Sequence, residues 1–430
     1  MMQLNRLITL LKRSSADAWE VTETRTRGWE FYFIRRQLDQ NRAKDLDEIE
    51  VKVFKKTEDG EWMGSASAPV PVTASEEQAG NLIESLIRRA SLVKDRPYAL
   101  VRPCDGKPDE TPVQSLPVMA DAFFRTMHAV KETDTEDLNS YELFCSHVTK
   151  RFLNSEGVDV TMTYPSSMAE VVVNARNASK EIELYRMYRS GACDEEGLLR
   201  DVQMTLSLGR DRLVAGPTPD VNGIPVLFST DVAIQIYYYF LGNLDAAYVF
   251  RKMSSFELGS DIAPEATGDR VTLKALRFLP NSSGNGGYDS EGAYIRDKVL
   301  MRDNVPEAYC GSRRYSQYMG LEDCFQVRNW SVEGGTRTDD EIRSGDYLEI
   351  MEFSDFQVDE LTGDIFGEIR LGYLHQNGEV KIVTGGSVSG DMKDNLNDLQ
   401  MSSRQVQYNN ILIPALTKLS HVTVSGVEKQ

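Results

Sequence analysis

Histidine and cysteine are the side chains best suited to bind a metal ion or to begin nucleophilic catalysis, and this chain has few of either. Its four histidines are far apart in the sequence, at His128, His147, His375 and His421. A zinc site built within one helix or strand needs two ligands only a few residues apart. The spacing therefore predicts no local histidine pair that could hold a metal.

One cysteine, Cys145, precedes a histidine, His147, by two residues. A catalytic pair of this kind needs the thiol and the imidazole within hydrogen-bonding reach. We expect a helix over about 136–153, on which side chains two residues apart point in different directions. The pattern favours an ordinary helix histidine with a structural partner. A Cys145- or serine-based nucleophile remains a hypothesis that would need activity insensitive to chelators.

Two glycine-rich stretches, at 284–287 and 385–390, raise the question of phosphate binding. Neither has the GxxxxGK[ST] pattern, and both lack the lysine with which that loop contacts phosphates. Turns explain both stretches. The acidic run at 194–196 is predicted to begin a helix, where negative charge is favoured by the helix dipole.

Charge and cysteine content exclude several classes of protein. The net charge of −18 disfavours a nucleic-acid partner, because binding to phosphates needs a concentrated basic face. Five cysteines without a CxxC pair are typical of free thiols in a reducing compartment, so we expect a cytoplasmic protein. An arginine cluster in the N-terminal strands is interpreted as a solvated sheet face; it comprises Arg25, Arg27, Arg35, Arg36 and Arg42.

Alternating patterns outline the strands of the first half of the chain. Residues 19–36 alternate as strands do, and Arg27-Gly28 is predicted to break them into a hairpin. A turn is expected at Asp59-Gly60. Further strands are predicted at 48–54, 61–67, 159–164 and 169–173.

Helical spacing of apolar residues indicates several helices. Ser75 and Gln78 form a capping box at the start of one of them. The segment at 1–12 is interpreted as a helix and not as a signal peptide, since it lacks a small-residue cleavage site. The longest apolar stretch, 232–241, is about half the ~20 residues that a membrane span needs, so no membrane partner is expected. Helices are predicted at about 1–12, after Ser75 to about Ala90, and at about 116–132, 136–153, 194–206 and 229–243.

Glycine and proline are dense between Arg212 and Pro225, and this segment is the predicted domain boundary. With 430 residues the chain can form two domains with cores of their own. We predict an N-terminal α+β domain at 1–211, with an antiparallel sheet and helices. A β-rich C-terminal domain follows at 225–430 and contains the helix at about 229–243. Asn377-Gly378 predicts a hairpin between strands at 371–375 and 380–383.

Segments spread over nearly the whole chain resemble the TldD/PmbA family, whose members have been called modulators of DNA gyrase and are classed as metallopeptidases. The most specific segments lie near the C-terminus, where the spacing is similar to that of the PmbA (TldE) branch. The segments are Gly64–Ser67, Asn154–Gly157, Pro225–Ser229, Tyr248–Lys252, Asp289–Gly292, Asp359–Asp364, Asn377–Val380 and Gly390–Asn395.

Catalytic members of this family carry HExxxH on the helix before the segment that Tyr248–Lys252 resembles. Alignment backwards from Arg251-Lys252 places Tyr238 and Asn243 at the two histidine positions and Tyr239 at the glutamate position. A tyrosine or asparagine is a poor zinc ligand, and a phenol is a poor general base at neutral pH. The family's further thiol ligand comes from near the C-terminus, yet no cysteine follows Cys324. We therefore predict no catalytic or metal-binding residue in this chain.

The resemblance implies a non-catalytic, PmbA/TldE-like subunit that pairs with a TldD-like homologue bearing HExxxH. The partner subunit would bind the zinc, and the pair would cleave small or unfolded peptides. A stand-alone peptide-binding or regulatory homodimer is the alternative. The residues do not identify the peptide or the interface.

Overall fold

The computed structural model describes residues 4–106, 113–221 and 223–427. The predicted N-terminal helix is present from Leu4 onward, and residues 1–3 lie outside the described part. Described helices and strands of the first half are α1 (Leu4–Arg13), β1 (Ala18–Ile34), β2 (Gln37–Lys56), β3 (Met63–Val70), α2 (Glu76–Ala90), α3 (Leu116–Ala129), β4 (Glu136–Asn154), β5 (Asp159–Arg176), β6 (Glu181–Ser190) and α4 (Glu195–Val214).

The strands of the first half form one antiparallel sheet in the order β3-β2-β1-β4-β5-β6. Helix α2 begins at the predicted capping box, in which the Ser75 hydroxyl accepts from the Gln78 N–H and the Gln78 side chain accepts from the Ser75 N–H. Asp194 caps α4 through the Gly197 N–H, as the acidic run at the helix start indicates. These helices cover parts of the sheet with their apolar faces.

Residues 136–154 form a strand, so the predicted helix over 136–153 is wrong. From Tyr141 onward the buried positions recur every second residue, at Tyr141, Leu143 and Cys145. That period is the period of a strand. β4 lies between β1 and β5 and pairs with both along almost its full length. Pairing with the two neighbouring strands therefore determines the structure of this segment, because its local sequence pattern is ambiguous.

Two other local predictions are also corrected. β1 runs straight through Arg27-Gly28, and the hairpin turn lies instead at Arg35 and Arg36, which have positive φ. The strands predicted at 159–164 and 169–173 are one strand, β5. In both cases a long partner strand continues the pairing across residues that would permit a turn.

The second half of the described chain is rich in short strands, as predicted, and contains a 3₁₀ turn at Asp231–Ala233. Its elements are β7 (Gly216–Pro217), β8 (Val226–Phe228), α5 (Ile234–Asn243), α6 (Ala246–Phe250), β9 (Leu273–Leu276), β10 (Lys298–Arg302), β11 (Val305–Pro306), α7 (Arg313–Tyr318), β12 (Asn329–Val332), α8 (Asp339–Ile342), β13 (Tyr347–Val358), β14 (Asp364–Gln376), β15 (Glu379–Thr384), β16 (Ser387–Asp391), α9 (Met392–Asn395), β17 (Gln400–Met401), β18 (Gln405–Tyr408), β19 (Ile411–Pro414), β20 (Thr417–Leu419) and β21 (Val422–Ser425).

Two sheets are built from these strands. A six-stranded sheet has the order β11-β10-β9-β12-β19-β18. A nine-stranded sheet follows the path β17-β20-β8-β13-β14-β15-β7, with β16 paired to β14 and β21 paired to β16. The predicted hairpin at Asn377-Gly378 joins β14 to β15, and both turn residues have positive φ. The fold class is α+β with a β-rich second half, as predicted.

The two halves are packed together through α4 and the face of β13 and β14. The Arg186 guanidinium on β6 pairs with the buried Glu352 carboxylate at 2.6 Å. The Tyr373 hydroxyl donates to the Asp211 carboxylate at 2.6 Å. The division into domains at 211 and 225 remains a prediction, and Asn222, within the predicted boundary, lies outside the described residues. In the described part of the chain, no helix is both long enough and apolar enough to cross a membrane.

Candidate functional site

Helix α5 carries the three positions at which the resemblance would place the zinc-binding and catalytic groups. Its sequence, IQIYYYFLGN, has no charged residue, and most of its side chains are buried between the two sheets of the second half. A helix that is apolar on all sides is stable only when it is surrounded by protein. The helix predicted over about 229–243 begins later, at Ile234, after the 3₁₀ turn that Thr230 precedes. The Ser229 hydroxyl lies 3.6 Å from the Met351 sulfur.

Tyr239, at the glutamate position, is part of an aromatic core. Its ring meets Phe240 edge-on at 5.3 Å and Phe256 edge-on at 5.6 Å, measured between ring centroids. The residue is 1% exposed. Burial, together with the negative charge of Asp391, raises the pKa of Tyr239 to about 12. The phenol therefore stays protonated at neutral pH and cannot serve as a general base.

Tyr238, at the first histidine position, points toward the six-stranded sheet. Its ring lies 5.4 Å from the Trp330 ring in a tilted arrangement. Burial and the nearby Glu360 raise the pKa of its hydroxyl. The preceding residue, Tyr237, points in another direction and shares a 2.7 Å hydrogen bond with the Thr417 hydroxyl. The tyrosine run therefore connects α5 to both sheets.

Asn243, at the second histidine position, is fully buried and closes the end of α5. Its amide nitrogen donates to the carbonyl oxygens of Tyr239 at 3.0 Å and Glu360 at 2.9 Å. The carbonyl of Leu361 lies at 3.4 Å. Its Oδ1 atom is buried and has no hydrogen-bond partner within the described residues. The side chain acts as a structural link between α5 and the loop at 359–364.

The C-terminal segments that carry the family resemblance converge on α5. Glycine is required at Gly242 because a Cβ there would lie 2.8 Å from the Glu360 Cβ. Asp359 organises the loop by accepting from the N–H groups of Leu361 at 2.9 Å and Thr362 at 2.7 Å. The Met392 N–H then donates to the Gly363 carbonyl at 2.9 Å, which brings the segment 390–395 against the same loop. Segments far apart in the sequence thus form one cluster.

Two further segments of the resemblance meet where the halves of the chain touch. A Cβ on Gly292 would lie 2.6 Å from the Phe152 ring and 2.9 Å from Val158, so Asp289–Gly292 packs closely on the end of β4. Asn154 shapes the turn there by accepting from the N–H groups of Glu156 and Val158, each at 3.0 Å.

This junction also contains buried carboxylates, which the strand pattern did not reveal. Burial raises the pKa of Glu20 to about 7, although Lys52, 3.4 Å away, opposes the shift. Burial raises the pKa of Asp289 to about 6, although three backbone N–H groups that donate to its carboxylate lower the pKa. In the sequence, Glu20 stands between two apolar residues, Trp19 and Val21, within a predicted strand. The side chains of all three residues are buried.

The residues on α5 do not fit a zinc ion. The helix has two phenols and an amide at the positions where two imidazoles and a carboxylate would be needed. The amide nitrogen of Asn243 already donates hydrogen bonds to backbone carbonyls. Among the residues that the structure describes, no group of three or more histidine, cysteine, aspartate or glutamate side chains is arranged to hold a metal ion. That this chain binds no zinc remains a prediction.

Three of the histidines contact different partners. His147 contacts the Gln114 carbonyl at 2.6 Å, and His421 contacts Asp398 at 3.1 Å. His375 stacks on Tyr347 with ring centroids 4.3 Å apart, and burial lowers its pKa. Since β4 is a strand, Cys145 and His147 point to the same face, contrary to the helical expectation. Burial raises the pKa of the Cys145 thiol to about 11, which opposes its use as a nucleophile.

The arginine cluster of the N-terminal sheet is largely neutralised by neighbouring acids. Arg27 pairs with Asp45 and Asp47, each at 2.8 Å. Arg36 pairs with Glu132 at 2.6 Å. These pairs agree with the interpretation of a solvated sheet face.

Comparison with known proteins identifies similar sequences and folds. Residues 222–426 match the family described as the PmbA/TldA metallopeptidase C-terminal domain. A stretch of 212 residues is 22% identical to the Metalloprotease PmbA homolog of Haemophilus influenzae, and covers 47% of this chain and 46% of that protein. The match therefore spans about half the length of that relative.

Two solved structures share the fold over almost the whole chain. TldE from Thermococcus kodakarensis superimposes with a TM-score of 0.78 at 17% identity, covering 98% of this chain and 99% of the other. A candidate modulator of DNA gyrase from Thermotoga maritima gives a TM-score of 0.78 at 16% identity, with the same coverage of both chains. At these identities the likeness establishes a common fold.

Proposed function

This chain belongs to the TldD/PmbA family, and on that premise we propose that it is a non-catalytic, PmbA/TldE-like subunit of a TldD-type zinc metallopeptidase complex. The complex would cleave small or unfolded peptides. The partner, a TldD-like homologue with an intact HExxxH helix, would supply the zinc ion and the general base. This chain would have a structural role in the complex, and its surface would help to bind the peptide.

The observation that carries the proposal is the use of the three aligned positions on α5 as packing residues. Tyr239 lies in the aromatic core, and Asn243 is tied to the loop at 359–364. Tyr238 packs on Trp330. Each side chain has a structural partner that a metal ligand or a general base could not keep. The helix is retained and its chemistry is replaced, which is the pattern of a subunit whose catalytic function has passed to a partner.

The proposal is tested by recovering the tagged, full-length chain from its own host at native expression. Proteins that accompany it are identified by mass spectrometry, and the same preparation is assayed for cleavage of an unfolded peptide with and without a chelator. A second preparation contains the chain expressed alone. We expect a near-stoichiometric HExxxH homologue and chelator-sensitive cleavage in the first preparation, with neither in the second.

Two outcomes would overturn the proposal. Recovery of only this chain, inert and without metal, would favour a stand-alone peptide-binding or regulatory homodimer. Cleavage by the chain expressed alone that survives the chelator would favour an enzyme that uses another nucleophile. Light scattering on the purified chain then separates a homodimer from a monomer.

A further inference from the structure

The outer face of the nine-stranded sheet carries a groove of about 540 Å³. It lies at the point along β14 where the neighbouring strand on one side changes. Residues 364–368 of β14 pair with β16, and residues 372–376 pair with β15. No segment of the family resemblance accounts for this groove, although the glycine-rich stretch at 385–390 forms one of its walls. The lining side chains include Ser354, Phe366, Glu368, Arg370, Thr384 and Ser387.

The wall of the groove is held in place by backbone hydrogen bonds. Gly385 and Gly386 have φ of +78° and +80°, a conformation that favours glycine. Their turn is fixed on β14, since the Gly385 N–H donates to the Ile369 carbonyl at 2.9 Å and the Ile369 N–H donates to the Gly386 carbonyl at 3.0 Å. The Thr384 hydroxyl donates to the Arg370 carbonyl at 2.7 Å. The groove is therefore preformed.

Positive charge is concentrated beside this groove. Arg186, Arg212 and Arg370 all act on the Glu352 carboxylate, which is buried. Only Arg186 forms an ion pair with it, at 2.6 Å. Within the described residues, Arg212 and Arg370 have no ion pair with any carboxylate. One buried acid thus faces three guanidinium groups, in a protein whose net charge is −18.

A further acid, Glu368, lines the groove and forms no ion pair with Arg370 in the described part of the chain. Its carboxylate accepts from the Ser354 hydroxyl at 2.7 Å and lies two residues from Arg370, on the same face of β14. Arg212 is half-buried, and burial lowers the pKa of its guanidinium. The negative charge of Glu352 raises this pKa, and the positive charge of Arg370 lowers it further. Arg370 is exposed and lines the groove, so it is the guanidinium that a ligand can reach.

We propose that this groove binds a carboxylate of a peptide, with Arg370 as the direct hydrogen-bond donor and Arg212 as a supporting positive charge. A guanidinium binds a carboxylate through two parallel hydrogen bonds, which gives both strength and orientation. The exposed ring of Phe366 offers an apolar contact for the neighbouring part of the peptide. The carboxylate comes from the peptide's C-terminus or from an acidic side chain. This inference rests on the proposed role in peptide handling.

The test uses the purified, full-length chain and three fluorescent peptides of one unfolded sequence. The first has a free C-terminus, the second an amidated C-terminus, and the third an amidated C-terminus with one internal glutamate. Binding is followed by fluorescence anisotropy. We expect the free form to bind more tightly than the amide, and Arg370→Gln to weaken its binding by about ten-fold, as loss of a hydrogen bond to a charged group requires.

Two further variants make the result specific. Arg302→Gln removes an equal charge from an exposed arginine that pairs with Glu307, and should leave binding unchanged. Glu368→Gln removes the acid beside Arg370 and should tighten binding of the free carboxylate. Thermal unfolding of each variant establishes that it is folded. If the third peptide binds as the first does, and depends equally on Arg370, an acidic side chain serves as well as the C-terminus; if it binds as weakly as the second, the C-terminus is the source of the carboxylate.

Equal affinity for all three peptides, or an Arg370→Gln variant that binds as the unmodified chain does, would overturn the inference. The proposed function fails by a different result, namely the absence of an HExxxH partner and of chelator-sensitive cleavage. Because binding is measured on the chain without a partner, each proposal can fail while the other stands.

Discussion

The side-chain amide of Asn243 donates a hydrogen bond of 2.9 Å to the backbone carbonyl of Glu360, and thereby joins α5 to the loop at 359–364. The asparagine occupies the position at which the family resemblance would place a zinc-binding histidine. The loop is one of the C-terminal segments that carry that resemblance. One hydrogen bond thus connects the replaced position to a segment that carries the family resemblance, and its role is structural.

Asn243→Ala is expected to lower the free energy of unfolding by about 1–3 kcal/mol, because carbonyl groups of Tyr239 and Glu360 lose their buried donor. Urea denaturation measures the change. Asn41→Ala, at an exposed position, is the matched control and should have little effect. Equal stability of the two variants would show that the contact does not hold α5 in place.

Gly242→Ala is expected to be destabilising by about 1–3 kcal/mol, because the added methyl group would press on Glu360 and force α5 away from the loop. The same substitution at Gly80 in α2 meets no atom within 4 Å. Alanine there should stabilise the helix by up to about 1 kcal/mol. Thermal or urea unfolding of both variants should therefore show opposite signs. A stabilising effect at Gly242 would contradict the close packing.

The hydrogen bond between Tyr237 and Thr417 is suited to a double-mutant cycle. Tyr237→Phe and Thr417→Val each leave one buried hydroxyl without its partner, at a cost of about 1–3 kcal/mol. The double variant removes both groups, so its loss should be smaller than the sum of the single losses by about 1 kcal/mol. Urea denaturation provides the four free energies. Strict additivity would mean that the two hydroxyls do not interact.

Glu20 predicts a specific dependence of stability on pH. Burial raises its pKa from 4.5 to about 7, so the folded protein holds this proton over a pH range in which the unfolded chain has released it. The stabilising contribution is complete below pH 4.5 and is lost as the pH rises through 7.

Glu20→Gln should therefore gain stability relative to the unmodified protein as the pH rises from 4.5 to 7, by up to about 3 kcal/mol. Urea denaturation at a series of pH values measures this gain. The exposed Glu61→Gln serves as control. A difference between Glu20→Gln and the unmodified protein that stays constant with pH would contradict the buried, protonated state.

Local signals predicted those parts of the fold that are fixed by nearby residues. The capping box at Ser75 and Gln78 and the turn at Asn377-Gly378 were predicted correctly, because their geometry depends on a few adjacent residues. Residues 136–154 were not, because their strand is determined by pairing with β1 and β5. The length of β1 through Arg27-Gly28 depends on the same pairing.

The candidate site was predictable in part. The resemblance located α5 and the three replaced positions, since their spacing from Arg251-Lys252 is a property of the sequence. It could not show that Asn243 would reach Glu360, more than one hundred residues later, or that Tyr237 would reach Thr417. Arg212 and Arg370 also come together only through the packing of α4 on the nine-stranded sheet.

Under the proposed function, this chain supports peptide cleavage while a TldD-like partner performs the chemistry. The most direct measurement is the cleavage rate of the complex with a TldD-like partner after substitution in one subunit at a time. Glutamine in place of the partner's HExxxH glutamate should abolish cleavage. Tyr238→Phe and Tyr239→Phe in this chain should leave the rate and its dependence on zinc unchanged. Loss of cleavage in a folded, assembled Tyr238→Phe or Tyr239→Phe complex would contradict the account.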